Sequence, residues 1–135
     1  MNSVFIDTNI LVDYFDSSRK EHIPAFVLIS KSGNNYQVSC SLKSVLDLHY
    51  ILGENKKAKK CVQLLMDTLP ILEVKSEHLH SALKLEDWKD LEDSVQYEIA
   101  KENKSDYIIT NDKKGFKNSK IPIKSAREMI EILAG

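Results

Sequence analysis

The sequence is poor in the residues that cross-link or interrupt a chain. Its 135 residues include two cysteines, four glycines and three prolines. Cys40 and Cys61 lie far apart in the sequence and outside any metal-ligand spacing, so we interpret them as reduced packing thiols rather than as a disulfide or a zinc site. Reduced thiols of this kind predict a cytoplasmic protein. No repeat, linker or low-complexity tract is present, which makes a disordered class a poor fit.

Long hydrophobic runs are also missing. No segment approaches the ~20 apolar residues that a membrane span requires. The apolar residues at the N-terminus have no basic flank and are interrupted at Asp7, which argues against a secretory signal. We therefore expect no membrane association. What remains is ordinary for a globular chain, with 42% apolar and 29% charged residues, and the length predicts one domain spanning residues 1–135.

Short apolar runs alternate with stretches of helical periodicity along the chain. The runs predict buried strands at residues 4–6, 36–40, 71–74 and 106–110, and an edge strand at 121–123. Helical spacing predicts helices at residues 9–15, 24–29, 42–52 and 58–69, one capped by Ser76 that carries apolar residues to Leu85, one that ends near residue 104, and a last one after a Ser125–Glu128 capping box. This alternation predicts a three-layer α/β/α fold, in which helices flank a central parallel sheet on both faces.

Two predicted strands run directly into a carboxylate. Asp7 follows the first strand, and Asp112 lies just beyond the fourth. Because ligands bind at the carboxyl ends of strands in open parallel sheets, we expect these two acids to share a crevice. Asp47 and the Asp90/Asp93 pair lie on or at the start of predicted helices that can approach the same crevice. The sequence therefore predicts one acidic cluster.

Each of these acids also has a simpler structural explanation. Asp7 can cap the following helix, Asp47 can lie on an exposed helical stripe, Asp90 and Asp93 can serve as a cap and a first-turn acid, and Asp112 can be a turn residue. Taken together, they form a cluster with no built-in compensating cation, which is costly unless a divalent ion neutralises it. Oxygen ligands with room for water select Mg²⁺ or Mn²⁺.

Phosphodiester hydrolysis is the chemistry that suits such a cluster best. One metal ion lowers the pKa of a water molecule to make the nucleophile, and a second, ~4 Å away, stabilises the leaving oxygen. Lys113, Lys114 and Lys117 follow directly after Asp112, where they can bind flanking phosphates of an RNA substrate. The alternative is a solvated lysine face with no ligand.

Neighbouring polar residues are candidates for supporting roles. We predict that the hydroxyls of Thr8 and Thr110 orient the acids and that Asn9 ties the Asp7 loop to the backbone. Trp88 can stack on an RNA base, but packing beside the acidic stretch is the preferred interpretation.

Four segments resemble the PIN-domain family of metal-dependent nucleases. They are residues 5–11 (FIDTNIL), 41–50 (SLKSVLDLHY), 90–96 (DLEDSVQ) and 108–112 (IITND), with Phe116 beyond the last. The segments occur in the family's order and span almost the whole chain. The resemblance implies a parallel sheet with helices on both sides, an acidic pocket that binds Mg²⁺ or Mn²⁺, and cleavage of single-stranded or structured RNA. Many small bacterial members are toxins neutralised by an antitoxin protein, and homodimers are usual.

Residue by residue, Asp7, Asp93 and Asp112 match the family's acids, Asp90 is an additional acid, and Thr110 supplies a hydroxyl near the metal. The predicted metal ligands are Asp7, Asp90, Asp93 and Asp112, and the predicted catalytic acids are Asp7, Asp47, Asp93 and Asp112. The chain departs from the pattern twice. Asp47 replaces a frequent glutamate and is expected to reach the metal only through water, and Gly115 replaces an acid that often precedes the phenylalanine.

Three functions are compatible with these residues. The first is a metal-dependent ribonuclease, as in the toxins of the family. The second is a PIN-like fold with a weakened site that only binds RNA or a protein partner. The third is an aspartyl-phosphate enzyme of the dehalogenase type, which normally carries a second aspartate two residues after the first, where this chain has Asn9.

Overall fold

A five-stranded parallel sheet forms the centre of the molecule, which the computed structural model describes over residues 1–135. The strands are β1 (Asn2–Ile6), β2 (Tyr36–Ser41), β3 (Ile71–Leu72), β4 (Tyr107–Ile109) and β5 (Ile123–Lys124). Their spatial order is β3-β2-β1-β4-β5, and every neighbouring pair is parallel. In the register, Val4 of β1 lies between Val38 of β2 and Tyr107 of β4. The first strand of the chain is therefore the central one.

Seven α-helices flank this sheet. They are α1 (Thr8–Phe15), α2 (His22–Ser30), α3 (Leu42–Ile51), α4 (Lys56–Thr68), α5 (Ser76–Leu83), α6 (Leu91–Glu102) and α7 (Ala126–Ala134), and a 3₁₀ turn covers Lys113–Phe116. None of the helices has the length and apolar character needed to cross a bilayer.

The alternation of side chains along β1 divides the core into two layers. Val4 and Ile6 pack into an 18-residue cluster with residues of α1, α2, α3, α4 and α7. Phe5 faces the other way, into an eight-residue cluster with residues of α5, α6 and the 3₁₀ turn, where Phe116 is fully buried. Because successive side chains of a strand point to opposite faces, both faces of the sheet are covered. The predicted three-layer α/β/α fold is confirmed.

Several predicted element boundaries differ from the structure by one or two residues, and three of these differences have an evident physical cause. β3 covers only Ile71–Leu72, because its partner β2 ends at Ser41, opposite Leu72. β5 begins at Ile123, after the proline at 122, rather than at residue 121. Lys75 rather than Ser76 precedes the first turn of α5, because the Lys75 backbone N–H donates to His78 Nδ1 at 2.9 Å. The two strand differences depend on a neighbouring strand that no local pattern contains, whereas the α5 difference is a local contact.

The two cysteines are free thiols, as predicted. Cys40 lies on β2 and is fully buried. Burial raises the pKa of the Cys40 thiol to about 12, since a thiolate cannot be solvated there. Cys40 is therefore an inert packing residue of the sheet.

Candidate active site

A pocket of about 330 Å³ opens at the carboxyl ends of the central strands. All four predicted catalytic acids, Asp7, Asp47, Asp93 and Asp112, line this pocket. Asp90 does not line it and instead borders an adjoining groove. The crevice predicted from the two strand-end carboxylates therefore exists, and it has acids on two helices as well.

Asp7 accepts more hydrogen bonds than any other acid of the pocket. It is nearly buried, at 8% exposure, and it caps α1, since Oδ1 accepts from the Thr8 N–H at 2.9 Å. The same oxygen accepts from Gln96 Nε2 at 3.2 Å, and Oδ2 accepts from Thr110 Oγ1 at 2.9 Å and Asn9 Nδ2 at 3.5 Å. Capping and a role in the pocket therefore coincide in one residue. Four donors fix the orientation of this carboxylate.

Thr110 joins the two strand-end loops. Its hydroxyl is fully buried, donates to Asp7, and accepts from Asn9 Nδ2 at 3.2 Å and from the Asp112 N–H at 3.0 Å. Asn9 Oδ1 also accepts from the Asn111 N–H at 3.1 Å. Thr110 and Asn9, both predicted to have supporting roles, therefore lie in hydrogen-bond contact with Asp7. One threonine thus sets the relative position of Asp7 and Asp112.

The hydroxyl of Thr8 does not contact an acid, contrary to the prediction. It lies 2.8 Å from Ser44 Oγ on α3, and only the Thr8 backbone N–H bonds to Asp7. Its side chain therefore supports the pocket indirectly, through the hydrogen bonds of Ser44.

A buried polar network lies beneath the pocket, and it was not predicted from the sequence. Gln96 of α6 is 2% exposed. Its Nε2 donates to Ser44 Oγ at 2.8 Å as well as to Asp7, and its Oε1 accepts from Ser41 Oγ at 2.6 Å. These contacts link β1, the start of α3 and α6. The available signal was a glutamine one turn after Asp93, on the same helical face.

Asp93 occupies the first turn of α6. Asp90 is the N-cap, and its Oδ1 accepts from the Asp93 N–H at 3.0 Å, as the capping explanation of the pair predicts. Burial raises the pKa of Asp93 to about 7, and the charges of Asp7, Asp90 and Asp112 add to the shift. Negative charge at this point of the pocket is therefore under-compensated, which favours either a proton or a bound cation.

Gly115 provides the space that Asp93 and Asp112 occupy. A Cβ atom at position 115 would overlap Asp93 Oδ2 and would lie 2.9 Å from Asp112 Oδ2. The Gly115 N–H also donates to Asp112 Oδ1 at 3.2 Å. The absence of a side chain at position 115 thus leaves room for the carboxylates of Asp93 and Asp112, which both lie close to this residue.

The expectation that the cluster lacks a built-in cation is wrong. Lys43 Nζ, on α3, donates to Asp47 Oδ2 and lies 3.6 Å from Glu92 Oε2. Burial of Lys43 opposes its charge, but the hydrogen bond and charge of Asp47, with the charge of Glu92, outweigh burial and raise the lysine pKa. Lysine and aspartate four residues apart share a helical face, so the pair was visible in the sequence.

Arg19 is a further positively charged residue at the pocket, and it was not predicted from the sequence. Its Nε donates to Asp13 Oδ1 at 3.0 Å, and Asp13 Oδ2 accepts from Asn111 Nδ2 at 2.7 Å. The Asp13 carboxylate is buried, with 3% of its side chain exposed, whereas Arg19 is 43% exposed. The buried aspartate thus orients an arginine that lines both the acidic pocket and a neighbouring polar groove.

The three predicted RNA-binding lysines lie on grooves that meet at Asp112. Lys113 and Lys114 line one groove, and Lys114 and Lys117 line another. Lys113 is ion-paired with Glu128, which leaves Lys114 and Lys117 as the less constrained pair. All three are exposed.

Trp88 packs against two other aromatic rings. Its ring stacks on Tyr97 with the centroids 4.6 Å apart, and it meets Phe116 edge to face at 5.7 Å. These contacts agree with the preferred packing interpretation and place the indole against the second core cluster.

The donor set fits a hard divalent cation, although the side chains do not form a closed cage. No three Asp, Glu, His or Cys side chains lie close enough together to hold an ion as they stand. Mg²⁺ usually keeps several water ligands and binds through one or two carboxylates. An open pocket lined by carboxylate oxygens meets that requirement. Asp7, Asp93 and Asp112 are therefore the residues suited to hold Mg²⁺ or Mn²⁺.

The raised pKa of Asp93 predicts a pH dependence of stability in the metal-free protein. Between the unfolded value of 3.8 and the folded value of about 7, the folded state holds a proton that the unfolded state has lost. Unfolding free energy therefore falls as pH rises through this window. We expect Asp93→Asn to be more stable than the wild type at pH 8 by about 2 kcal/mol after allowance for solvent screening, and unchanged near pH 4. Chemical denaturation in EDTA at both pH values measures this, and equal differences at the two pH values would contradict it.

The family model described as PIN domain matches residues 3–114. Ribonuclease VapC1 of Aquifex aeolicus (strain VF5) is 30% identical over 142 aligned residues, which cover 97% of this chain and 96% of that protein.

Two solved structures share the fold at lower sequence identity. A toxin-antitoxin complex from Klebsiella pneumoniae superposes with a TM-score of 0.69 at 20% identity, covering 91% of this chain and 97% of that one. VapC20 of Mycobacterium tuberculosis, described as a Sarcin-Ricin loop cleaving toxin, superposes with a TM-score of 0.65 at 11% identity, covering 78% of this chain and 86% of that one.

Proposed function

The chain belongs to the PIN-domain family, and from that premise we propose that it is a ribonuclease that hydrolyses RNA phosphodiester bonds at the acidic pocket with Mg²⁺ or Mn²⁺. The observation that carries the proposal is the convergence of Asp7, Asp93 and Asp112 on one pocket. The relative with 30% identity over nearly the whole chain is itself named a ribonuclease. Neither zinc-type ligands nor an acid-base histidine lines the pocket.

The residues of the pocket have distinct tasks in this proposal. Asp7, Asp93 and Asp112 hold the cation, and Asp90 acts by capping α6 and adding negative charge near Asp93. The chemistry that a divalent cation would supply there is a water molecule of lowered pKa, the nucleophile for hydrolysis. Thr110 and Gln96 keep the Asp7 carboxylate oriented, so the cation meets a ligand whose entropy is already reduced. In the reaction, the water oxygen would bond to phosphorus as the bond between phosphorus and the ribose oxygen breaks, and the proton that the water gives up balances the one that the departing ribose oxygen takes up.

The lysines beyond Asp112 are assigned to the RNA backbone. Lys114 borders both grooves that meet at the pocket, and Lys117 borders one of them. Replacing both by alanine is expected to weaken the binding of a short RNA about 10-fold near 0.1 M salt and to reduce the slope of log affinity against log salt by about 1 to 2. Fluorescence anisotropy in EDTA measures binding without cleavage. The matched control replaces the exposed Lys59 and Lys60 on α4, and an equal loss in that control would refute the assignment.

The family and one exposed apolar surface on α3 support two protein partners, an antitoxin and a second copy of this chain. We propose that the chain is the toxin of a toxin-antitoxin pair, acts in the cytoplasm and forms a homodimer. Solved structures that share its fold include a toxin-antitoxin complex. Leu42, Leu46 and Tyr50 form an apolar stripe along α3 and are 42%, 65% and 72% exposed. A stripe at this spacing is suited to pack against its own copy, and sedimentation of wild type and Leu46→Lys tests the dimer.

A non-catalytic RNA-binding or protein-binding module is the second candidate. Two observations favour it, namely that Asp47 is engaged by Lys43 and that no closed metal cage exists. Incubating several RNAs with the metal-stripped protein and added Mn²⁺ separates the two functions. Cleavage that requires Mn²⁺ supports the ribonuclease. Binding without cleavage, unchanged in Asp7→Asn, supports the module.

A further inference from the structure

We propose that the Lys43 ammonium is the second cation of the site: it neutralises Asp47 in place of a metal ion and contacts a phosphate oxygen of the RNA, beside a single divalent ion held by Asp7, Asp93 and Asp112. The inference rests on the proposed ribonuclease function and makes it specific. Its basis is the position of Lys43 rather than its ionisation.

Lys43 lies where a cation can serve the pocket. It belongs to the first turn of α3, which starts directly after β2 at the same sheet edge as Asp7. Its side chain is 23% exposed, so most of its stem is covered while the ammonium faces the pocket that Asp7, Asp93 and Asp112 also line. The side chain is therefore confined to the acidic site rather than free in solvent.

The two acids around Lys43 fix its ammonium. Asp47 Oδ2 accepts a hydrogen bond from Nζ, and Glu92 Oε2 lies 3.6 Å away on the first turn of α6. Lys43 thus bridges the two helices that flank the pocket. An ammonium has three donors, so after Asp47 and Glu92 are served, a third N–H is available to a ligand.

Occupation of Asp47 by Lys43 leaves this acid unsuited to bind a metal ion. Two-metal hydrolysis requires carboxylates for both ions. An aspartate is one methylene shorter than the family's frequent glutamate, and here its Oδ2 already holds a charge-assisted hydrogen bond, which is among the stronger polar contacts. A metal ion at Asp47 would have to displace the ammonium or else lie beside it, where like-charge repulsion opposes its binding.

A phosphate oxygen completes the environment of the ammonium. The transition state of phosphoryl transfer spreads negative charge over the oxygens of phosphorus, and positioned lysines stabilise that charge. With a metal ion held by Asp7, Asp93 and Asp112 and with Lys43 beside Asp47, a phosphate bound in the pocket would have a cation on either side. Lys43 then acts as a catalytic residue, and Asp47 acts as its positioning residue.

The first experiment counts Mn²⁺ ions by electron paramagnetic resonance on the full chain after removal of metals. We expect one Mn²⁺ per chain in the wild type, loss of that ion in Asp93→Asn, and Mn²⁺ affinity within twofold of the wild type in Asp47→Asn. Two Mn²⁺ per chain in the wild type would overturn the inference. An equal loss of affinity in Asp47→Asn and Asp93→Asn would also overturn it. Neither arm needs a Lys43 variant to fold.

The second experiment compares kinetics of Lys43→Met, Lys43→Arg and a control, Lys57→Met, on the exposed face of α4. Lys43→Met is expected to lower kcat about 30-fold or more with KM changed less than threefold, whereas Lys43→Arg retains most of kcat because the charge remains. An unchanged kcat in a folded Lys43→Met would overturn the inference. Cleavage by a wild type that binds two Mn²⁺ overturns only the role of Lys43, whereas no cleavage with any divalent ion overturns the ribonuclease itself.

Discussion

Asp7→Asn is expected to lower Mn²⁺-dependent kcat by about 1,000-fold, equivalent to about 4 kcal/mol of transition-state stabilisation. Asp7 is the central ligand candidate, because its carboxylate is nearly buried and four donors orient it toward the pocket. The asparagine side chain has the same shape but no negative charge. Its NH₂ group would also face two of the donors that now bind the carboxylate. Both effects fall on cation binding, so Mn²⁺ affinity and kcat should decrease together while KM for RNA changes little.

A matched control is Asp67→Asn, which removes the charge of an exposed aspartate on α4. Its kcat and Mn²⁺ affinity should equal those of the wild type. Thermal unfolding in EDTA shows whether Asp7→Asn remains folded, and Asp112→Asn provides a second route to the same ligand set. Retention of more than a tenth of wild-type kcat in folded Asp7→Asn would show that the pocket is not the catalytic site.

Gly115→Ala is expected to lower kcat and Mn²⁺ affinity by about 10- to 100-fold, which is the range for residues that position metal ligands. The added Cβ would overlap Asp93 Oδ2 and lie 2.9 Å from Asp112 Oδ2. Both are ends of short side chains, so the carboxylates move rather than the backbone. The backbone at Gly115 needs no positive φ, so the variant should unfold within a few degrees of the wild type.

Gly33→Ala is the converse control for this prediction. Gly33 has φ +106° and nothing within 4 Å of a built Cβ, so the substitution strains the backbone by about 1 kcal/mol without touching the pocket. It should lower Tm and leave kcat unchanged. If Gly115→Ala instead lowers Tm and spares kcat, Gly115 serves the fold rather than the position of Asp93 and Asp112.

Sequence periodicity was sufficient for the layers of the fold and for the location of the acids. Asp7 and Asp112 follow buried strands, and strands that share a sheet edge place such residues together. The boundaries that failed, at β3 and β5, depend on where the neighbouring strand ends. A local pattern carries no record of that neighbour, so these errors follow from the physics of sheet pairing.

The supporting contacts of the site were less accessible to sequence reasoning. Gln96 and Ser44 are polar residues whose burial arises only when α3 and α6 meet over β1. Arg19 reaches the pocket because Asp13, six residues earlier, is buried and holds it. Lys43 and Asp47 were visible as a helical pair, but the pair reads equally well as a solvated surface contact. Only the position of α3 assigns it to the pocket.

We expect this chain to cleave RNA with a divalent ion held by Asp7, Asp93 and Asp112. The most direct measurement is cleavage of a structured RNA by the metal-stripped wild type as Mn²⁺ is added, with analysis of the product ends. We expect no cleavage in EDTA, a saturable onset with Mn²⁺, and products without a 2′,3′-cyclic phosphate, because water rather than the ribose hydroxyl attacks phosphorus. Cleavage that persists in EDTA, or that leaves cyclic phosphate ends, would contradict it.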